Sequence, residues 1–243
     1  MSLIITIEDR VLRLTMHRPA ERNGLNAQLC SELMAAFQKA EADPAIGAIL
    51  LDAKGEFFCA GLDRNEEASH LFTAGSRLRK PLVAAIQGHA FSGGLGLIAN
   101  AHVAVAAQGC SFGLTDIRAG IWPYAPFHAV SLAIGTRRAV ELSLTGRVFS
   151  TPEALQWGLI HYQTPAFELE DRAMQLAIGL ADASPLAIHA GLDFAQRLKG
   201  MNDRQAGDLA TGLQSEAATS PDFLEGMQAL QERRRPVWPS RTM

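Results

Sequence analysis

The sequence predicts an α/β fold of stacked strand–strand–helix units followed by a C-terminal helical region. Three observations carry that expectation. Short apolar runs of strand type recur through the first half, at 3–7, 11–16, 46–51, 82–86 and 102–106. The links between them are too short for long crossovers, which argues for stacked ββα units. Four helical patterns then follow in succession, at about 167–182, 185–199, 203–218 and 221–232. With 243 residues, 48% of them hydrophobic and 19% charged, the chain can bury a substantial core in one large domain or in one domain with a helical appendage. The expected division is a core over residues 1–182 and a helical region over 183–243.

Taken in order, Leu3-Ile4-Ile5-Thr6-Ile7 and Val11-Leu12-Arg13-Leu14-Thr15-Met16 are β-rich runs split by Glu8-Asp9-Arg10, which predicts a hairpin. Asn26 precedes a helix whose apolar positions Leu29, Leu33, Met34 and Phe37 keep helical spacing, and Asp43-Pro44 ends it. The run 46–51 is too short for such a helix and reads as a buried strand. Residues 63–80 are polar and loosely helical, Pro81 opens the next buried strand, and a helix over 94–101 leads into the strand at 102–106. After Gly120 the chain turns helical. Ser150-Thr151-Pro152-Glu153 supplies a capping hydroxyl and a first-turn proline, with Gly158 as the stop. Ser220-Pro221 opens the last helix in the same way.

Two glycine-rich segments close strands: Gly55-Glu56-Phe57-Phe58-Cys59-Ala60-Gly61-Leu62-Asp63, and Gln87-Gly88-His89-Ala90-Phe91-Ser92-Gly93-Gly94-Leu95-Gly96. Glycine lets the backbone turn sharply and approach a bound group closely. Two such loops at the ends of neighbouring strands can aim backbone N–H donors at one oxygen and so stabilise negative charge on a carbonyl. The sequence holds no Gly-x-x-x-x-Gly-Lys, and no Gly-x-Gly-x-x-Gly between a strand and a helix, so the usual phosphate and dinucleotide fingerprints are absent.

A net charge of −3 gives no general footing for nucleic acid or an anionic membrane. The clusters Arg77, Arg79, Lys80 and Arg233-Arg234-Arg235 read as solvated surface. Cys30, Cys59 and Cys110 show no metal-ligand spacing, and no metal site is expected; reduced thiols in a cytosol-like compartment are the simple inference. No apolar run approaches the ~18 residues of a membrane span, and no charged-then-apolar leader is visible. The expected location is cytoplasmic.

Five blocks in fixed order resemble the crotonase, or enoyl-CoA hydratase/isomerase, superfamily. These are Leu14-Thr15-Met16-His17-Arg18-Pro19 with Arg22-Asn23-Gly24-Leu25, then Phe58 to Asp63, then Gln87 to Gly94. Phe112-Gly113-Leu114-Thr115-Asp116-Ile117-Arg118-Ala119-Gly120 follows. The last is Phe223-Leu224-Glu225-Gly226 with Glu232-Arg233-Arg234-Arg235-Pro236. The resemblance spans nearly the whole chain and implies the crotonase-like spiral of ββα units. It also implies an enzyme that polarises an acyl-CoA thioester with two backbone amides and then adds, moves or removes groups beside the carbonyl.

Carried over residue by residue, the two amides fall on Leu62 and Gly93. The hydratase type has two glutamates, and their positions here are Gly96 and Asp116, so Asp116 is the expected acid–base residue and Gly96 has no titratable group to offer. His89, Tyr124 and His128 are candidates for a second acid or base. Arg22 and Arg233 resemble the family's cationic contacts to the CoA phosphates, with the backbone around Leu25 and Ala60 holding the pantetheine and adenine ends. The segment between the glycine loops, which walls the acyl pocket in the family, is short.

The resemblance thus implies an enoyl-CoA hydratase as the nominal reaction. A single carboxylate also suits isomerisation of a 3-enoyl to a 2-enoyl thioester, and a non-catalytic acyl-CoA-binding protein is a further alternative. Coenzyme A enters as part of the substrate, with no separate cofactor. RNA binding through Arg233–Arg235 has precedent in the family but little support from the charge balance. A homotrimer or a pair of trimers is the implied assembly, with Arg233 reaching a site on its own or a neighbouring subunit.

Overall fold

The computed structural model describes residues 2–63 and 70–241. The predicted hairpin forms from β1 (Leu3–Glu8) and β2 (Val11–Met16), antiparallel in full register, with Asp9 and Arg10 both at positive φ in the tight turn. Helix α1 (Ala27–Ala42) starts where Asn26 accepts a hydrogen bond from the Leu29 N–H, and it buries Leu29, Leu33 and Phe37. After it come β3 (Ala48–Ala53), β4 (Phe57–Cys59), the one-turn α2 (Leu71–Ala74), β5 (Leu82–Ile86) and β6 (His89–Phe91). Part of the loosely helical stretch 63–80 lies outside the described residues. Helix α3 (Gly93–Asn100), β7 (Val103–Ala107) and β8 (Ser111–Gly113) complete the stacked units.

Each unit puts its first strand in one sheet and its second in another. The six-stranded sheet runs β1-β2-β3-β5-β7-β10, with β2 through β10 parallel; the four-stranded sheet runs β4-β6-β8-β9. Strands β9 (Phe149–Ser150) and β10 (Tyr162–Thr164) are each two or three residues long. β3 and β5 are buried at every position, because the first sheet is covered on both faces. α7 (Leu169–Ala181) packs on β3, β5 and β7.

The second sheet is what the sequence reading missed. Residues 57–59 and 89–91 read as parts of the glycine loops, and 111–113 carried no strand expectation, because three residues show no periodicity; yet these segments pair in parallel and carry the glycine turns. Beyond β8 lie α4 (Tyr124–Ile134), α5 (Thr136–Thr145) and α6 (Thr151–Gln156), the last opened by a capping box between Ser150 and Glu153. The C-terminal patterns become α8 (Pro185–Arg197), α9 (Asp203–Ala217) and α10 (Pro221–Glu232).

Candidate active site

The loop after β4 is held by the loop that follows β2. The Ala60 N–H donates to the Arg22 carbonyl (3.0 Å), the Leu25 N–H to Gly61 (2.8 Å), and the Asp63 N–H to Leu25 (2.9 Å). These bonds use the Ala60 and Asp63 N–H groups and the Gly61 carbonyl, and leave the Leu62 N–H without a protein acceptor among the described residues. Asn23, fully buried at φ 53, clamps the supporting loop: its amide donates to the Lys54 and Phe57 carbonyls, and its oxygen accepts from the Arg18 N–H. The Arg18 guanidinium bonds the Gly24 carbonyl and pairs with Asp63 at 3.3 Å. Gly61 takes φ 113, which a side chain would strain.

The second loop delivers Gly93, whose N–H is the first of α3 and likewise has no acceptor among the described residues. A methyl placed on Gly93 would stand 3.3 Å from the Leu62 nitrogen, and one placed on Gly61 would stand 3.6 Å from the Gly93 nitrogen. The two amides flank one small space. Ser92, the residue before Gly93, is buried and strained at φ 50, ψ −109. Its hydroxyl donates to Asp116 Oδ2 at 2.5 Å. Asp116 is half-buried at the start of the short 3-10 turn Asp116–Ala119, and its carboxylate meets Ser92 rather than Arg118. Leu62, Gly93 and Asp116, read from three separate blocks, are therefore brought together.

Position 96 is closed. A Cβ there would lie 2.5 Å from the Phe72 ring and 2.9 Å from Pro126, so no side chain fits unless both yield. Of the candidates for a second acid or base, His89 is occupied structurally. Its Nδ1 accepts from the Ser111 N–H, and its ring packs on Phe57 and Phe91. Tyr124 is 78% exposed at the start of α4, and His128 is exposed on the same helix.

Arg22 is exposed, with its guanidinium over the Phe57 ring. Leu25 is fully buried beneath Gly93, and Ala60 is half-buried. Arg233 ends α10 in the left-handed conformation and makes no side-chain hydrogen bond or ion pair among the described residues; no such contact joins it to the other site residues.

Cys59, one residue before Ala60, is buried, and that burial pushes its thiol up to about 12. It is a packing residue. The residues the sequence reading missed are Ser92, Phe72 and Asn23. A polar residue just after a strand and just before a glycine pair was the visible signal for Ser92.

The family pattern described as enoyl-CoA hydratase/isomerase matches residues 6–241. Enoyl-CoA hydratase EchA19 of Mycobacterium tuberculosis is 30% identical over 95% of this chain and 93% of its own length. The 2,3-dehydroadipyl-CoA hydratase of Escherichia coli is 31% identical over 98% and 99%. The crystal structure of an enoyl-CoA hydratase from Mycobacterium smegmatis superimposes with a TM-score of 0.91 at 27% identity, covering 98% of this chain and 99% of that one.

Proposed function

The chain belongs to the enoyl-CoA hydratase/isomerase family and is an enzyme of it, and from that premise we propose that it carries an acyl-CoA thioester enolate between the Leu62 and Gly93 amides. The observation that best supports this reading is their shared space, with both N–H groups unspent and Asp116 one hydrogen bond away. A preorganised oxyanion donor contributes ~2.7–4 kcal/mol to lowering a barrier. Asp116 moves the proton beside the carbonyl. The nominal reaction is addition of water across a 2-enoyl-CoA double bond, in keeping with the names of the relatives.

A second reading, isomerisation of a 3-enoyl-CoA, is favoured by the closure of position 96, which leaves a single carboxylate to take a proton from one carbon and return it to another. Following both substrate series by thioester absorbance decides between them. Turnover of neither, with the ester still bound, would make the chain an acyl-CoA-binding protein instead.

Coenzyme A enters as part of the substrate, with no separate cofactor in the scheme. Arg22 and Arg233 are proposed for its phosphates. Leu25 and Ala60 have spent their N–H groups within the protein, so they are proposed to meet the pantetheine and adenine ends by packing and through the Ala60 carbonyl. A homotrimer or pair of trimers is proposed from the exposed apolar residues Phe223, Leu224, Met227 and Leu230 of α10; Phe223, Met227 and Leu230 border a groove of about 630 Å³. A cytoplasmic setting suits the buried free thiols of Cys59 and Cys110.

A further inference from the structure

We propose that Ser92 is a second proton-carrying group of the site and that a Ser92–Asp116 relay does, with one carboxylate, the two proton transfers that hydration needs. This rests on the acyl-CoA enolate reading and names the device that would let the hydratase form of it work.

Four observations meet at this residue. The place where a second carboxylate could enter, position 96, is filled by Phe72 and Pro126. Ser92 is 8% exposed, adjoins the Gly93 amide, and its Cβ stands 3.1 Å from where a Gly61 Cβ would be, so it borders the space between the two donors. Its hydroxyl is bonded to Asp116 Oδ2 at 2.5 Å. The backbone at Ser92 is strained at φ 50, ψ −109, a conformation that glycine adopts freely and serine does not. A serine kept where glycine would be more comfortable points to a use for its hydroxyl.

A serine hydroxyl has one hydrogen to donate and two lone pairs to accept with. With its hydrogen on Asp116, its lone pairs remain for a water. As the water oxygen bonds to the β-carbon, one water proton passes to Ser92 Oγ while the serine's own proton moves to Asp116 Oδ2. The electron pair of the carbon–carbon double bond shifts onto the thioester oxygen, which the Leu62 and Gly93 amides hold. The protonated Asp116 then delivers its proton to the α-carbon as the enolate collapses. Serine ends with one hydrogen, the carboxylate with its charge, and the substrate with one water added.

The test compares wild type, Ser92→Gly, Ser92→Ala and Asp116→Asn in two reactions. One is hydration of a 2-enoyl-CoA, and the other is α-hydrogen exchange of a saturated acyl-CoA in D2O, which needs Asp116 but no water attack. Thermal unfolding of each variant checks the fold, and Ser92→Gly is expected to melt no lower than wild type because it relieves the strained φ. The relay predicts that Ser92→Gly loses about 100-fold or more in hydration kcat. Its KM and its exchange rate should stay within about threefold of wild type, while Asp116→Asn loses both reactions.

Equal loss of hydration and exchange in Ser92→Gly would overturn the relay, because the serine would then only place Asp116. Unchanged hydration in that variant would overturn it as well. Wild type that exchanges without hydrating sinks the relay alone, whereas wild type that does neither sinks the enolate reading itself.

Discussion

Asp116 carries the heaviest expectation at the scale of single residues. Replacing it with asparagine keeps the shape and the Ser92 contact but removes the base. Turnover should fall about 10²–10⁴-fold with acyl-CoA affinity unchanged, as measured by steady-state kinetics beside calorimetric titration. Cys59 gives a simpler check. With its thiol pushed up to about 12 by burial, almost none is thiolate at pH 8, so an alkylating reagent should leave it unmodified in the folded enzyme and label it only after denaturation; mass spectrometry reads both. Asp116 and the two donor glycine loops were legible in the sequence because each sits in a block of fixed order. The Ser92–Asp116 bond was not. It depends on one residue held at positive φ and on two loops, 24 positions apart, arriving at the same place.

Elements set the loops' position, and here the longer pieces were easier to read than the shorter ones. The hairpin, α1 and the helices from α7 onward followed from periodicity and caps. The second sheet has strands of two or three residues, whose pairing is decided by close backbone approach and not by pattern; a Cβ on Gly94 would lie 2.4 Å from the Cys59 carbonyl. Asn23 links these levels, since its side chain ties the loop after β2 to Lys54 and to the start of β4. Asn23→Ala strands buried partners and should cost about 1–3 kcal/mol, with a larger fall in kcat than in affinity as the Leu62 amide loosens; urea unfolding and kinetics together test this. At position 96, Gly96→Glu overpacks against Phe72 and should lower stability by about 1–3 kcal/mol. Pairing it with Phe72→Ala removes one of the two clashes, so the double variant should be less destabilised than the sum of the two single changes. A double-mutant cycle that found the two changes additive would contradict the packing described.

Across the whole molecule, the C-terminal helices are tied together through one carboxylate. Asp222 accepts from Ser184 Oγ at 2.6 Å, from Ser240 Oγ at 2.7 Å and from the Ser240 N–H at 3.0 Å. Burial works to raise its pKa, but these hydrogen bonds outweigh that and hold it below the ordinary 3.8. A depressed folded value means the stabilisation is fully present above that ordinary value and is lost as pH falls through the folded one. Hydrogen-exchange protection in α8 and α10, taken relative to the intrinsic rate at each pH, should therefore fall in acid, and Asp222→Asn should flatten that dependence. The exposed apolar face of α10 bears on assembly: light scattering should give a trimer or a multiple of it, and Leu230→Asp should shift the mass toward the monomer. No helix among the described residues is long and apolar enough to cross a membrane.

All of this depends on where an acyl-CoA thioester oxygen comes to rest. A crystal structure of the enzyme with a non-reacting acyl-CoA bound measures it directly. That oxygen should lie within about 2.7–3.1 Å of both the Leu62 and Gly93 nitrogens, with the α-carbon beside the Asp116 carboxylate. A thioester lying elsewhere, or an oxygen that neither amide reaches, would contradict it.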